Sequence, residues 1–280
     1  MIRKLGAFTA FFSLAMLSFA SSAQTVAGQP FAWELGLQPS ASDRMTAIIG
    51  LHNFVLYIIT TICLFVLALL VWIMLRFNAK ANPTPSATTH NTTLEVLWTI
   101  VPVLILVAIA IPSFRLLYFV DVVPKPDMTI KAIGKQWFWT YEYPDNGNFT
   151  FDALIVPDRR SAPIVPDGPP RMLGTTNHVV VPVGKIVRIL TTGADVIHSW
   201  AIPAFGVKMD AVPGRINQTW FKAGQIGTYY GECSELCGAR HAYMPITVDV
   251  VSQADFDMWV QQAKTKFAAV DAPSRVAAER

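Results

Sequence analysis

The sequence predicts a two-span transmembrane helical hairpin followed by an all-β sandwich or barrel domain on the exported side of the membrane. Three observations carry this. Two apolar runs, 46–75 and 96–120, are each long enough to cross a bilayer with some tilt. The N-terminus has the layout of an export signal. After Asp121 the long runs give way to short segments rich in β-branched and aromatic residues, separated by Gly, Pro, Asn and Asp. The chain is 52% hydrophobic and only 15% charged, with mean hydropathy +0.40, which is unusual for a purely soluble protein.

In chain order, "MIRKLGAFTAFFSLAMLSFASSAQT" begins with Arg3 and Lys4, continues through a short apolar stretch and ends in small residues, so a signal peptide over 1–23, cleaved after Ala23, is expected. Residues 24–45 then form an exported N-terminal segment. The first span covers 46–75. The loop 76–93 carries Arg76 and Lys80 and no acid, which mildly favours a cytoplasmic position. The second span covers 94–120. It contains Pro102 and Pro112, which membrane helices tolerate when neighbours satisfy the freed carbonyls. Two spans return the chain to the exported side, so the region from 121 onward lies there.

That region divides into a β domain, 121–251, and a C-terminal helix and tail, 252–280. Strands are expected at 128–134, 136–143, 149–156, 178–184, 185–192, 216–221 and 247–251, with a proline-rich surface loop at 157–172. Ser252 and Asp255 resemble a capping box. Phe256, Trp259, Val260, Ala263 and Phe267 then fall on one face of a helix. Acids and bases nearly cancel here and no basic patch interleaved with aromatics occurs, so nucleic acid is not an expected partner.

The chemistry is concentrated in "YYGECSELCGARHAYMP" (229–245). Cys233, Cys237, His241 and Met244 are soft or borderline metal ligands set within a dozen residues. The cysteines alone admit a disulfide in an oxidising compartment, or zinc with His241. Neither reading uses the thioether, whereas copper has a role for thiolate, imidazole and thioether alike. A mononuclear blue-copper site needs one cysteine, so a second thiolate suggests a second ion. His198, in "ADVIHSWAIP", and His178 are the candidates for a remote imidazole.

"DVIHSWAIPAFGVKMDAVPGR", the cluster above and "GKQWFWTYEYP" together strongly resemble subunit II of haem-copper cytochrome c oxidases. The resemblance runs over both spans and the β domain. It implies a cupredoxin-like sandwich or barrel carrying a binuclear copper centre, CuA. On that likeness Cys233 and Cys237 bridge the two ions, and His198 and His241 each bind one. Met244 and the backbone carbonyl of Glu235 complete the set, and the Glu235 side chain reaches a Mg2+ or Mn2+ ion shared with subunit I.

The resemblance also implies an electron-entry role for Trp137 over the copper centre. Core packing is the ordinary reading of the stripe Trp137, Trp139, Tyr141 and Tyr143. Glu142, Asp145 and Asp195 would steer a basic cytochrome c, although the segment 174–180 lacks an aspartate expected there, which implies a weaker docking patch. Glu95, at the start of the second span, would stand at the mouth of a proton channel. An acid favoured by the helix dipole is the alternative reading. Cys63 and His52 read as packing residues.

The implied function is the electron-entry subunit of a proton-pumping terminal oxidase, working with subunit I, subunit III and cytochrome c, in a bacterial inner membrane with its β domain in the periplasm. Quinol oxidases, whose subunit II lacks the copper ligands, supply the alternative of a copper-free structural subunit. The full ligand set argues against it.

Overall fold

Helix α1 (Asp43–Arg76) and helix α2 (Thr92–Asp121) form the membrane hairpin in this computed structural model, which describes residues 28–31, 34–84, 86–156 and 169–267. The expected signal peptide, the greater part of the proline-rich loop and the end of the C-terminal tail lie outside the described residues. Both helices are apolar on all sides and almost wholly uncovered by the rest of the chain, as expected of segments whose packing partner is lipid. Each starts on a side-chain cap: Ser42 Oγ accepts from the Met45 amide, and Asn91 Oδ1 from the Leu94 amide. Pro102 and Pro112 lie within α2 without ending it.

The described residues of the remainder fold into ten strands and a closing helix. They are β1 (Met128–Lys135), β2 (Phe138–Tyr143), β3 (Phe149–Ala153), β4 (Val179–Pro182), β5 (Ile186–Gly193), β6 (His198–Ile202), β7 (Val207–Ala211), β8 (Asn217–Lys222), β9 (Gly227–Cys233) and β10 (Pro245–Val251), then α3 (Gln253–Phe267). Two five-stranded sheets result, ordered β3-β2-β1-β5-β8 and β4-β10-β9-β6-β7. Pairing is antiparallel except for β1 with β5 and β10 with β4. Trp139, Tyr141, Trp200, Phe205, Phe221, Tyr229 and Ile246 fill the space between the sheets.

Three of these strands, β6, β7 and β9, are additional to those the sequence predicts. Every residue of β6 is buried, so it shows no apolar–polar alternation. Strand β9 carries glycines, which weaken a strand signal. Gly231 is required there: a Cβ at this position would run into the Ala201 carbonyl oxygen on β6. Strand β2 starts at Phe138, which leaves Gln136 and Trp137 in the turn after β1.

Helix α3 closes the far edge of the domain. Phe256, Val260 and Ala263 are buried, and Trp259 packs 5.2 Å from the Tyr143 ring. Ser252 Oγ accepts from the Asp255 amide at 3.1 Å and donates to the Asp255 carboxylate at 2.6 Å.

The first turn of α1 is bonded directly to this domain. The Ala41 amide donates to the Ala204 carbonyl, and the Gly224 amide donates to the Ala41 carbonyl, both at 2.9 Å. Ser42 Oγ, besides capping α1, donates to the Phe205 carbonyl at 2.8 Å. Gly206, at φ +64°, lets the helix approach: a Cβ there would lie 2.7 Å from Ile48 Cδ1 and 3.1 Å from Met45 Cα.

Candidate metal centre

The site is built where β6 begins and β9 ends. These strands pair with Trp200 opposite Cys233, which sets His198 beside the last residue of β9. The connection from β9 to β10 then folds back on itself. Gly238 takes φ +118°, its carbonyl accepts from the His241 amide at 3.1 Å, and a short 3-10 turn at His241–Tyr243 delivers Met244 to the start of β10.

Five side chains and one carbonyl converge. Cys233 Sγ lies 3.9 Å from His198 Nδ1, 3.9 Å from Cys237 Sγ and 3.3 Å from the Glu235 carbonyl oxygen. Cys237 Sγ lies 3.5 Å from His241 Nδ1 and 3.5 Å from Met244 Sδ. His198, Cys233, Cys237 and Met244 are buried, and His241 is half-buried. The donor atoms of His198, Cys233 and Cys237 all fall within 4.8 Å of one another.

Both cysteines are free. Their sulfur separation is within the roughly 4.6 Å that one ion can span when bonded to two thiolates at about 2.3 Å each. Two thiolates, two imidazoles, a thioether and a carbonyl form a soft, nitrogen- and sulfur-rich set, which fits copper and leaves hard, oxygen-seeking cations poorly served.

The electrostatics prepare the sulfurs unequally. Burial pushes the Cys233 thiol up, but hydrogen bonding with His198 and the Glu235 and Ser199 backbone outweighs it and brings the thiol down to about 7. Burial, then the neighbouring Cys233 charge, pushes Cys237 up to about 12. Two thiolates in one buried pocket repel, so the second ionises readily only with a cation between them.

His198 is held by a carboxylate behind it. Its Nε2 meets Asp195 Oδ1 at 2.8 Å, which leaves Nδ1 facing the sulfur. Burial opposes protonation of His198, but Cys233 and Asp195 hold its pKa above the ordinary value. Asp195 also accepts from the Val196 and Gln136 amides, each at 2.7 Å. Burial raises its carboxyl, yet these three donors keep it below the usual range. The imidazole rests on Gly134 of β1, where a Cβ would lie 2.6 Å from the ring. Trp139 Nε1 donates to the Met244 carbonyl at 3.3 Å, which fixes the other end of the loop.

Trp137 stands over the cluster. Its indole Nε1 donates to the Cys237 carbonyl at 3.3 Å, and the same oxygen accepts from Gln136 Nε2 at 2.8 Å. The ring lies against Gly238, whose missing side chain makes room for it. Trp137 is half-buried, unlike Trp139, Tyr141 and Tyr143, which are packed into the core.

The remaining candidates lie apart from the cluster. Glu142 pairs with Lys131 at 3.1 Å, and Asp145 accepts from the Thr129 amide at 2.7 Å. Glu95 sits in the first turn of α2, at the other end of the hairpin. His178 pairs with Asp249 at 2.7 Å and takes no part in the cluster. Cys63 and His52 are exposed side chains on α1. Sequence reasoning does not find Gln136, Gly134 or the internal bonds of Asp195. Only the last had a signal, an acid three residues before the histidine.

Fold and site together define a membrane-anchored β-sandwich protein with a sulfur- and imidazole-lined centre able to bind metal. Two family models match: cytochrome c oxidase subunit II, periplasmic domain, over residues 128–251, and its transmembrane domain over residues 30–116. The chain belongs to the cytochrome c oxidase subunit II family and is therefore an oxidoreductase subunit of a terminal oxidase. It is 46% identical over 252 residues to a probable cytochrome c oxidase subunit 2 of Rickettsia bellii, covering 90% of this chain and 92% of that one. It is also 46% identical to cytochrome c oxidase subunit 2 of Cereibacter sphaeroides, covering 85% and 83%. The solved periplasmic domain of subunit II from Bradyrhizobium japonicum is 57% identical, covers 52% of this chain and 99% of its own, and superposes with TM-score 0.48.

Proposed function

We propose that this chain receives electrons from a c-type cytochrome at a binuclear copper centre and delivers them to haem in subunit I, where oxygen is reduced to water with proton pumping. The observation that carries this reading is the dual position of Cys237. Its sulfur lies in the buried cluster, and its carbonyl, on the outer side, receives the Trp137 indole N–H at 3.3 Å.

In this reading Cys233, Cys237, His198, His241, Met244 and the Glu235 carbonyl would hold the copper pair. When bound, the copper pair supplies a one-electron redox couple whose charge is shared by both ions. The chain's own residues do the rest. Trp137 offers its indole as the point of electron entry and links it to Cys237 through one hydrogen bond. Asp195 holds His198 in one tautomer. The buried walls exclude water, so little solvent needs to reorganise as charge moves.

Further roles belong to the same proposal. The Glu235 side chain binds Mg2+ or Mn2+ at the boundary with subunit I. Glu142, Asp145 and Asp195 steer the cytochrome, and Glu95 admits protons at the opposite membrane face. Subunit III is a further neighbour. The setting is a bacterial inner membrane with the β domain in the periplasm.

The test is electron paramagnetic resonance of the copper-loaded protein beside Cys233→Ser. Hyperfine structure from two equivalent coppers sharing one unpaired electron, lost in the variant, is expected. A single-copper pattern that survives the substitution would refute the binuclear assignment.

A further inference from the structure

Among the described residues, Arg44 is a buried cation without a counter-charge. The residue is 6% exposed, and no carboxylate oxygen lies within 4.0 Å of it among the described residues. Its guanidinium NH1 donates to Thr219 Oγ1 at 2.9 Å and to the Trp220 carbonyl at 2.6 Å, both neutral acceptors on β8. Its Nε is buried without a partner, and so is Nε1 of Trp220, a residue 5% exposed. The guanidinium carbon sits 5.5 Å from the centroid of the Trp220 ring. A buried unpaired charge and an orphaned buried N–H are each unfavourable, and here both occur in one contact.

The location says what would answer them. Arg44 is in the first turn of α1, whose helix dipole repels a cation and favours an anion. Along α1 the rise from Arg44 to the exposed Trp72 is about 42 Å, which matches a bilayer with its headgroups. Along α2 the rise from the exposed Trp98 to Phe119 is about 32 Å, close to the hydrocarbon thickness alone. Phe119 packs edge-on against Trp220, with ring centroids 5.6 Å apart. With Trp72 and Trp98 forming the aromatic belt at one face, Phe119 and Trp220 mark the opposite hydrocarbon boundary and Arg44 lies at headgroup level above it.

We propose that Arg44 and Trp220 form a binding site for the phosphodiester of one phospholipid, in the leaflet beneath the β domain. A phosphodiester is a compact anion with several acceptor oxygens. It matches the Nε edge of a guanidinium and takes a second hydrogen bond from the indole. Its acyl chains would run down the apolar surface where α1 and α2 leave the domain. The site bears on how the domain sits on the membrane and does not depend on what the metal centre carries.

The test is native mass spectrometry of the full-length chain, purified in detergent and supplemented with phosphatidylglycerol. Wild type is expected to hold one phospholipid through detergent washing. Arg44→Gln should weaken retention by about tenfold or more, from a lost charged hydrogen bond, and Trp220→Phe by about threefold, from a lost neutral one. The second variant keeps the ring and its contact with Phe119, so it reads the N–H even if the first disturbs folding, which near-UV circular dichroism would reveal. Equal retention in wild type and Trp220→Phe would overturn the proposal. Displacement of the lipid by millimolar inorganic phosphate would overturn it in favour of a free-anion site. Unchanged phospholipid with loss of another subunit from the membrane complex of Arg44→Gln would overturn it in favour of a protein carboxylate.

Discussion

Replacing Asp195 with asparagine removes one negative charge and turns one of two acceptor oxygens into a donor. In the native protein Oδ1 accepts from His198 Nε2 and the Val196 amide, and Oδ2 from the Gln136 amide. Whichever way the new amide turns, its NH2 faces an N–H, so at least one of these bonds is lost. A hydrogen bond to a charged group contributes about 1.5–3 kcal/mol when well shielded. The Asp195 side chain is 35% exposed, so solvent screening takes the estimate to the low end, about 1–1.5 kcal/mol. That corresponds to roughly a tenfold loss of metal affinity, the lower end of what a partner behind a ligating histidine typically contributes. Competition titration against a copper chelator measures it. Because Asp195 also carries surface charge, cytochrome c oxidation is followed alongside as a function of ionic strength. Unchanged copper affinity with a rate defect that vanishes at high salt would refute the argument, leaving Asp195 as a steering charge only.

Gly134→Ala places a methyl group 2.6 Å from the His198 ring and should cost about 1–3 kcal/mol as overpacking, read as a lower unfolding midpoint together with an altered copper spectrum. Trp137→Phe keeps a ring over Gly238 but loses the bond to the Cys237 carbonyl. Slower electron entry from cytochrome c at unchanged copper content is expected in stopped-flow reduction. Phe256→Ala removes a buried anchor of α3 and should destabilise the domain by about 3–5 kcal/mol in denaturant titration, with the copper spectrum intact. Near pH 7 the metal-free pair holds the Cys237 proton and part of the Cys233 proton, since their pKa values stand at about 12 and about 7. Copper uptake therefore releases protons, and apparent affinity should rise with pH, which calorimetry in buffers of different ionisation enthalpy would detect.

The hairpin was legible because lipid-facing helices need no pattern, only length and apolarity. The outer strands were legible because their two faces differ. Strand β6 hid for the opposite reason: His198, Ser199, Trp200, Ala201 and Ile202 are all buried, so neither alternation nor polarity marks them. The local part of the donor cluster was plain, because Cys233, Cys237, His241 and Met244 follow one another within one connection. His198 depended on resemblance, because a single buried histidine carries no signature. What stayed invisible was the space and support around the donors. Nothing in a one-dimensional pattern says that Gly134 gives room to an imidazole, or that Gln136 and Trp137 share one carbonyl. Those facts arise only when β1 is laid against β6 and its turn beneath the β9–β10 connection.

The hydrogen bonds from Ala41, Ser42 and Gly224, which join the first turn of α1 to the β domain, have a mechanical meaning. The domain does not hang from a slack tether; it is mounted on α1 like a head on a shaft. A helix that leans to match a thinner or thicker bilayer would swing its outer end, and this mount would carry the swing into the sandwich. The height and heading of the buried sulfurs above the lipid are then properties of the bilayer as much as of the chain. Membrane composition becomes a variable that can re-aim the donor cluster without touching any of its residues.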